Sequence, residues 1–480
     1  MKTHLKQSRS LRGSTLVLVV VVTALVGLVL IAYLSLVKTQ SFSTARSQVW
    51  NSAIPVIEAG VEDALTHMNI NGTNNLLACC GWQQSGNLYW TSRPLGDGQY
   101  VVIISNWVVG ATYNSQPVIY SRAFMKAPAF SAAHPDWMLA QASGGSVSQG
   151  LLARAVCVHA KPICMYKKAM VAKGNVTFGG NALVDSFNSE DPAKSTNGKY
   201  DPAKRQDHGD VASNAQIINS LAAGADTKIY GKVSTGPGGT AGFEANAVAG
   251  SEAWVDAGIN TGIEKGWFSD DMNVEFPPVL EPFTGGYLTP SSGNYLGTNY
   301  DYLLASDNYQ TASINMSSTK TMMVIGQAQL YVPGNFFMSG QSRIIIAPGA
   351  SFRLYVGGTA NFCGQGIYND TGSALNCWIF GRPTCTTIKY TGNSEFIGVI
   401  YAPDANLHIG GGGSDILDFQ GASITASVTM GGKFQFHYDE ALADKGPVKG
   451  YYVTSWDEML PQQAAELPSE IAFVLKGTPQ

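Results

Sequence analysis

Charged residues are scarce in this sequence. The 480 residues include 30 Lys and Arg against 34 Asp and Glu, so that charged side chains make up only 13 % of the chain. A net charge of −4 supplies no broad basic field, which argues against a nucleic-acid-binding protein. Low charge combined with 53 glycines favours a β-rich exported protein over a cytosolic α/β enzyme.

Several chemical signatures are also missing. No phosphate-binding loop of the Gly-x-x-x-x-Gly-Lys-Ser/Thr form and no Gly-x-Ser-x-Gly elbow occurs, so neither an ATPase nor a serine hydrolase is indicated. The cysteines lack the paired spacing of a zinc site, and we expect no metal and no cofactor. An odd total of 7 leaves at least one thiol unpaired within the chain. The cysteines are Cys79, Cys80, Cys157, Cys164, Cys363, Cys377 and Cys385. Cys157 and Cys164 are close enough in sequence to form a disulfide, and so are two of the last three. The adjacent Cys79 and Cys80 are awkward partners for each other.

Acidic residues are absent from the N-terminal region, where the first one is Glu58. Leu16 to Val37 is an uncharged apolar run, and as a helix it would span about 33 Å, roughly the thickness of a bilayer core. Basic residues precede it, which places residues 1–12 in the cytoplasm and the bulk of the chain on the periplasmic or extracellular side of the inner membrane. Because a secretory signal is shorter and ends in a small-residue cleavage site, we expect a single-pass anchor that is retained.

The start of the apolar run resembles a type IV prepilin leader. Gly13 follows basic residues and precedes Ser14, and the resemblance implies that a prepilin peptidase cuts between them. Residues 42–68 continue with apolar positions three and four apart, which predicts an amphipathic helical extension. The words "IEAGVEDAL" (57–65) resemble the end of the PilX-type N-terminal domain of minor pilins. This resemblance implies a pilus-associated protein whose partners are the peptidase and other pilin-like subunits.

Two features depart from the pilin pattern. Pro55 removes a helix hydrogen bond, which predicts a kink or break in the stem at that residue. Leu18 stands where major pilins carry a glutamate that aligns subunits in the fibre. These departures favour a minor or initiating subunit over a bulk fibre subunit.

Internal repeats dominate the second half of the chain. "LYVPGNFFMSGQ" begins at Leu330 and "LYVGGTANFCGQ" at Leu354, while F-x-G words begin at Phe396 and Phe419. Repeats of this length with short β-branched segments and glycine corners predict a parallel β-helix of about a dozen coils. The words between 368 and 442 resemble the C-terminal solenoid domain found attached to PilX-type N-termini.

The predicted fold class is therefore mainly β, with a parallel β-helix preceded by a long N-terminal transmembrane and amphipathic helix and a small β region. The predicted organisation is a leader (1–13), a stem helix (14–70), the small β region (71–150), the β-helix (151–445) and a C-terminal cap or tail (446–480).

A polar stretch at 185–214 contains two "DPAK" words and several acids, which predicts a long surface loop. A calcium site is the alternative, because Ca²⁺ prefers several carboxylate oxygens.

Carboxylate and histidine groups were considered as catalytic candidates, because polysaccharide-cleaving sites need such pairs. Each group has a plainer interpretation as turn or helix-cap residues, and we predict no catalysis. A membrane-anchored protein that binds or cleaves glycans, or a self-assembling scaffold, is the alternative to the pilin-like function. The candidates are Asp404 with His408; Asp207, His208 and Asp210; and His437, Asp439 and Glu440.

Overall fold

The structure, a computed structural model, describes residues 14–70, 81–107, 116–128, 149–410, 417–431, 434–445 and 448–460. Within these, the chain divides into two compact units, one from the described residues of Met1–Pro162 and Lys449–Gln480 and the other from Ile163–Val448. The leader residue Gly13 and the adjacent pair Cys79 and Cys80 lie outside the described residues.

The first unit is a long helix with a six-stranded sheet in the order β1-β2-β3-β4-β5-β34. Successive strands from β1 to β5 are antiparallel. The elements are α1 (Ser14–Ile70), β1 (Gln83–Ser85), β2 (Leu88–Leu95), β3 (Gly98–Ser105), β4 (Val118–Pro128), β5 (Gln149–Cys164) and β34 (Val448–Met459).

The helix α1 continues through Pro55, so the stem does not break at that residue, and the kink that was the other expected outcome stays a prediction. Ala53 and Val56, on either side of the proline, are buried where α1 packs on β3 and β4. The proline removes the backbone bond to the carbonyl of Asn51, four residues earlier, and the packing of the neighbouring side chains on the sheet compensates for that loss. Arg154 Nη1 donates to the carbonyl oxygen of the adjacent Trp50 at 3.2 Å.

The amphipathic stripe predicted for the second half of α1 is present. Its buried positions recur at the helical spacing expected for one face, and the side chains of Phe42, Ala45 and Val49 are half-buried. The fully buried members of the stripe are Ala53, Ile57, Val61, Ala64 and Met68.

The second unit contains three stacks of parallel strands, the arrangement predicted for a parallel β-helix. The first stack contains β6 (Met170–Ala172), β9 (Val211–Ser213), β12 (Val233–Ser234), β16 (Phe268–Ser269), β20 (Asn308–Gln310), β23 (Gln327–Val332), β26 (Ser351–Val356) and β29 (Cys377–Gly381). The second contains β7 (Val176–Phe178), β10 (Leu221–Ala223), β13 (Ala241–Phe243), β21 (Ile314–Met316), β24 (Phe336–Met338), β27 (Ala360–Phe362) and β30 (Thr387–Tyr390).

The third stack has two parts, of which β19, β22, β25 and β28 form a separate four-stranded sheet. Two long strands, β31 (Phe396–Ile409) and β32 (Leu417–Met430), bend through the corners and contribute to more than one stack. The third-stack strands are β8 (Leu183–Phe187), β11 (Lys228–Tyr230), β14 (Val248–Gly250), β15 (Gly262–Ile263), β19 (Tyr302–Leu304), β22 (Thr321–Val324), β25 (Arg343–Ile346), β28 (Gly366–Asn369) and β33 (Phe434–Asp439). The remaining elements are the hairpin β17 (Gly293–Tyr295) and β18 (Thr298–Tyr300), the short helices α2 (Glu252–Asp256) and α3 (Leu442–Lys445), and two 3-10 turns at Pro202–Lys204 and Ala374–Asn376.

The sequence repeats mark the register of these stacks. Leu330 pairs with Leu354 and Phe396 pairs with Phe419, as the two repeats predicted. Gly398 pairs with Gly421, whose φ is +145°, and a Cβ on Gly421 would overlap the Gly398 carbonyl oxygen. The F-x-G glycines are therefore required because the backbones of adjacent coils approach too closely for a side chain.

The order of strands in the stacks does not follow the order of the chain. β32 pairs with β31 on one side and with β6 and β7 on the other, and β33 pairs with β8. The last coils in sequence therefore stack directly on the first coils. We call this contact the junction: residues 170–187 on one side and 417–439 on the other.

Residues 270–292 form a connecting segment that links the early coils, which end at β16, to the later coils, which begin at β19 and β20. Met272 N donates to the Thr235 carbonyl near one end, and Leu288 forms a parallel bridge with Tyr309 at the other. Between them the Pro277 carbonyl accepts from the Tyr401 hydroxyl at 2.7 Å. The prediction of about a dozen coils counted the residues of this segment and of the loop at 188–206 as parts of coils, whereas they form connections.

The unit boundaries differ from the sequence-based ones. β5 pairs with β4 over residues 149–159, and residues 151–162, which were expected in the β-helix, belong to the first unit. β34 adds to the sheet of the first unit, so residues 448–459 form a strand there rather than a cap on the β-helix. Both differences arise because strands far apart in the sequence pair with one another, and such pairing cannot be recognised in a short stretch of sequence.

The sequence left the disulfide pattern open, and none of the five described cysteines forms a disulfide with another. Cys157 and Cys164 both lie in the extended strand β5. At about 3.3 Å per residue they are roughly 23 Å apart, whereas bridged Cα atoms lie about 4.4–6.8 Å apart. Cys377 and Cys385 are buried in the second unit, and Cys363 is half-buried.

Candidate functional site

The predicted membrane anchor is the exposed first half of α1. The helix begins at Ser14, and the side chains of Leu16 and Val37 are 72 % and 41 % exposed. Its most apolar 18-residue window is long and apolar enough to cross a membrane, and none of that window is buried within the chain. In water this surface would be strongly unfavourable, so it needs lipid or other apolar helices around it.

Polar groups within this half are satisfied by the helix itself. Thr23 Oγ1 donates to the Val19 carbonyl oxygen at 2.5 Å, and Thr39 Oγ1 donates to Ser35 O at 3.0 Å. A helix satisfies its own backbone groups, and these hydroxyls are paired in the same way. The segment can therefore enter a hydrocarbon environment without leaving these donors unpaired.

The "IEAGVEDAL" motif (57–65) forms part of the contact between the stem and the sheet. A Cβ on Gly60 would overlap Ser121 Oγ and lie 3.1 Å from Tyr100 Cδ2. Ser121 Oγ donates to the Ile57 carbonyl oxygen at 2.9 Å. The glycine of this motif thus allows α1 to approach β3 and β4 closely enough for that bond.

Asp63 of the same motif holds the helix on two strands. Its Oδ2 accepts from the Tyr100 hydroxyl at 2.9 Å and lies 3.0 Å from Arg93 Nε. Burial, reinforced by the Asp63 charge, raises the pKa of Tyr100 well above its usual value, so the phenol remains a hydrogen-bond donor. The motif therefore has a structural role, in holding α1 on the sheet, which the PilX-type resemblance did not predict.

A second polar site lies at the junction of the β-helix. His437 on β33 and Asp185 on β8 are fully buried, with Nδ1 and Oδ1 2.5 Å apart. Tyr200, from the 188–206 loop, donates its hydroxyl to Asp185 Oδ2 at 2.6 Å. Its ring stacks on the imidazole with centroids 3.5 Å apart. These three residues connect the first coil, the last coil and the loop.

The environment of His437 favours the charged form of its imidazole. Burial disfavours the charged form, but Asp185, followed by Asp418, outweighs it and raises the pKa of His437 to about 9. The second ring nitrogen, Nε2, lies 3.4 Å from Asp418 Oδ1 without an aligned hydrogen bond. The junction thus holds an imidazolium between two carboxylates.

The neighbouring candidates His208, Asp439 and Glu440 form separate polar contacts beside this site. Glu440 Oε1 accepts from Ser186 Oγ at 2.9 Å and lies 2.7 Å from His208 Nδ1. Asp439 Oδ1 accepts from the backbone N–H groups of Ser189 and Ala441. Burial raises the pKa of the Asp439 carboxyl, and those N–H donors oppose the shift.

The other candidate groups do not converge. Asp207 accepts from the Glu252 backbone N–H at 3.1 Å, and Asp210 pairs with Lys168 at 3.4 Å. Asp404 pairs with Lys173 at 2.7 Å rather than with His408. The turn and cap interpretations of these acids therefore fit the structure better than paired catalytic roles.

The two "DPAK" words form the same local structure. Asp191 Oδ1 accepts from the Ala193 N–H at 2.9 Å, and Asp201 Oδ1 accepts from the Ala203 N–H at 3.0 Å. Both are Asp turns of the expected kind. Among the described residues no group of three or more His, Cys, Asp or Glu side chains converges as a metal site, so this geometry gives the calcium alternative no support.

A substrate cannot reach His437 or Asp185, because both side chains are fully buried, and the contact between them holds the first and last coils together. Sequence reasoning found His437, Asp439 and Glu440 but missed Asp185 as partner and Tyr200. The one available signal was an acid inside the apolar strand "LVDSF".

Comparisons with known proteins give limited information. A family model described as a domain of unknown function (DUF7305) matches residues 274–445, which lie in the second unit. No curated protein matches the chain. The crystal structure of the competence-associated pilin ComZ from Thermus thermophilus aligns over 85 % of this chain and 97 % of that chain, at 11 % identity and a TM-score of 0.26. A likeness at that TM-score carries no argument, and the PilX-type resemblance of the stem remains a prediction.

Proposed function

We propose that this chain is a non-enzymatic, single-pass protein of the inner membrane that holds a β-helix outside the cytoplasm. Its stem joins other pilin-like subunits, as a minor pilin or pseudopilin-like component of a type IV pilus or related export apparatus. A prepilin peptidase removes residues 1–13, and Ser14 becomes the mature N-terminus.

One observation carries this proposal: α1 is a single helix with two different environments. Its first half is apolar and exposed, while its second half is fixed to an antiparallel sheet through Gly60 and Asp63. Such a helix connects a membrane or a bundle of apolar helices to a folded domain outside it. The basic residues before Gly13 support the orientation, because positive charge remains on the cytoplasmic side.

The test of partner contact uses a photo-crosslinking residue at Leu25, whose side chain is 56 % exposed on the stem. In native membranes we expect crosslinks from this position to other pilin-like subunits. The matched control is the same residue at Ile218, 79 % exposed in the second unit, which should not give these products. Crosslinks from Leu25 only to lipid would contradict entry into a pilin-like assembly while leaving the membrane anchor intact.

A further inference from the structure

The β-helix carries a surface groove that the proposed function does not use. Its volume is about 350 Å³, which falls within the range of small-ligand sites. It lies on the second stack, where strands β21, β24 and β27 are neighbours. Its lining includes Asn315, Asn335, Phe337, Thr359 and Asn361.

The central residues of the groove form a regular ladder. Asn315 pairs with Phe337, which pairs with Asn361, which in turn pairs with Lys389 and then His408. In each strand the neighbours on both sides are buried, so the ladder residue faces outward. Phe337 is 40 % exposed, whereas the adjacent Phe336 is fully buried. An aromatic ring is thus presented between two asparagines.

The asparagine amides are oriented by the protein. Asn335 Oδ1 accepts from the Thr359 backbone N–H at 2.9 Å, and Asn361 Oδ1 accepts from Cys363 Sγ at 3.0 Å. Because the amide oxygens are engaged in this way, the NH₂ ends are the groups available to a ligand. The groove therefore favours a ligand that is rich in hydrogen-bond acceptors.

The charge at the groove is zero or positive. The lining contains no acidic side chain, and Lys389 occupies the next rung as an exposed residue. The acid at the neighbouring corner, Asp404, is paired with Lys173. An anionic ligand is therefore electrostatically complementary to this part of the surface.

We propose that this ladder binds a linear acidic polysaccharide that runs across the strands. Successive rungs lie about 4.8 Å apart, so an extended chain that crosses the strands meets the ladder residues one after another. The apolar face of one ring packs on Phe337, amide N–H groups donate to hydroxyl oxygens, and Lys389 pairs with a carboxylate. Binding at this surface requires neither membrane insertion nor leader cleavage, so it can fail or succeed independently of the pilin-like function.

The experiment uses the full chain in lipid nanodiscs and measures binding of oligogalacturonate and oligoalginate, with dextran as the uncharged probe. We expect both acidic probes to bind and dextran to bind more weakly. Phe337→Ala should weaken binding about tenfold, because a stacked ring contributes on that scale. Lys389→Gln should weaken binding and flatten its salt dependence.

The matched control is Phe268→Ala, because Phe268 is also on a strand of the second unit and is 41 % exposed. It should leave the affinity unchanged within about twofold. Absence of binding to both acidic probes, or equal affinity in Phe337→Ala and the wild type, would overturn the proposal. Polyglutamate binding as tightly as oligogalacturonate, and insensitive to Phe337→Ala, would show a general anion surface and would also overturn it.

Discussion

His437 and Asp185 form a fully buried ion pair, 2.5 Å from Nδ1 to Oδ1, between strands 252 residues apart in the sequence. The pair lies where the last coil of the β-helix stacks on the first. Breaking such a pair leaves an uncompensated buried charge, which is strongly destabilising. The pair therefore couples the two ends of the second unit's sequence.

The first prediction concerns the pH dependence of this contact. The folded-state pKa of His437 is raised to about 9 from 6.5. A raised histidine pKa adds stability that is complete below about pH 6.5 and is lost as the pH rises through about 9. The shift corresponds to about 3 kcal/mol in the free energy of unfolding. Denaturant unfolding of the full chain in detergent, measured between pH 6 and 10, should show this decline.

The control for that measurement is His437→Gln, which removes the titrating group. The variant should be less stable at pH 6 because Asp185 loses its partner, and the difference in stability between the wild type and the variant should shrink as the pH rises from 6.5 to 9. The buried thiols of Cys377 and Cys385 also lower the stability above about pH 8.5, but they do so equally in both chains. Asp418 and Tyr200 also face the imidazole, but burial and Asp185 raise the pKa of Tyr200 far above this window. A wild-type chain whose stability does not change between pH 6.5 and 9 would contradict a charged His437.

The second prediction concerns the stem. Gly60→Ala introduces a Cβ that overlaps Ser121 Oγ, and overpacking of this kind costs about 1–3 kcal/mol. Gly27→Ala is the control on the same helix, because a Cβ there meets nothing within 4 Å. Unfolding of the first unit should shift to lower denaturant only for Gly60→Ala. Equal stability of the two variants would show that α1 does not approach the sheet as described.

The third prediction concerns the core of the β-helix. Phe419 is fully buried, with its ring centroid 4.6 Å from that of Phe396 and 4.4 Å from that of Phe436. Phe419→Ala should destabilise the second unit by about 3–5 kcal/mol, whereas the exposed Phe268→Ala should change the stability by less than about 1 kcal/mol. Thermal unfolding distinguishes the two, and similar melting temperatures would argue against this stacking of coils.

The fourth prediction concerns the thiols. Burial raises the pKa of Cys377 to about 12 and that of Cys385 to about 11, so both stay protonated at pH 8. Iodoacetamide should modify the half-buried Cys363 in the native chain and should reach the other two only in denaturant. Peptide mapping without reduction should find no bridge among the five described cysteines. Native-state labelling of Cys377 would contradict its burial in the core.

The sequence predicted two features of the fold whose signals are local. The spacing of Leu330 and Leu354 gave the coil register, and the apolar stripe ending at Met68 gave the packed face of the stem. These features depend on repeat length and helical periodicity, which can be seen in a short window.

The order of the coils could not be predicted in this way. Any two coils with similar apolar strands can pair in parallel, so nothing local indicates that residues 170–187 stack on 417–439. For the same reason, the sequence did not indicate that Asp185 pairs with His437 or that β34 joins the first sheet. The helix does not break at Pro55, because burial of Ala53 and Val56 on the sheet outweighs the energetic cost of a proline within a helix.

The proposed function requires that the N-terminal helix is a retained anchor processed as a prepilin. The most direct measurement is mass spectrometry of the mature N-terminus, on protein from membranes with and without an active prepilin peptidase. We expect a chain that starts at Ser14 only when the peptidase is active. A chain that still starts at Met1, or a cut after Val37 that releases the protein from the membrane, would contradict it.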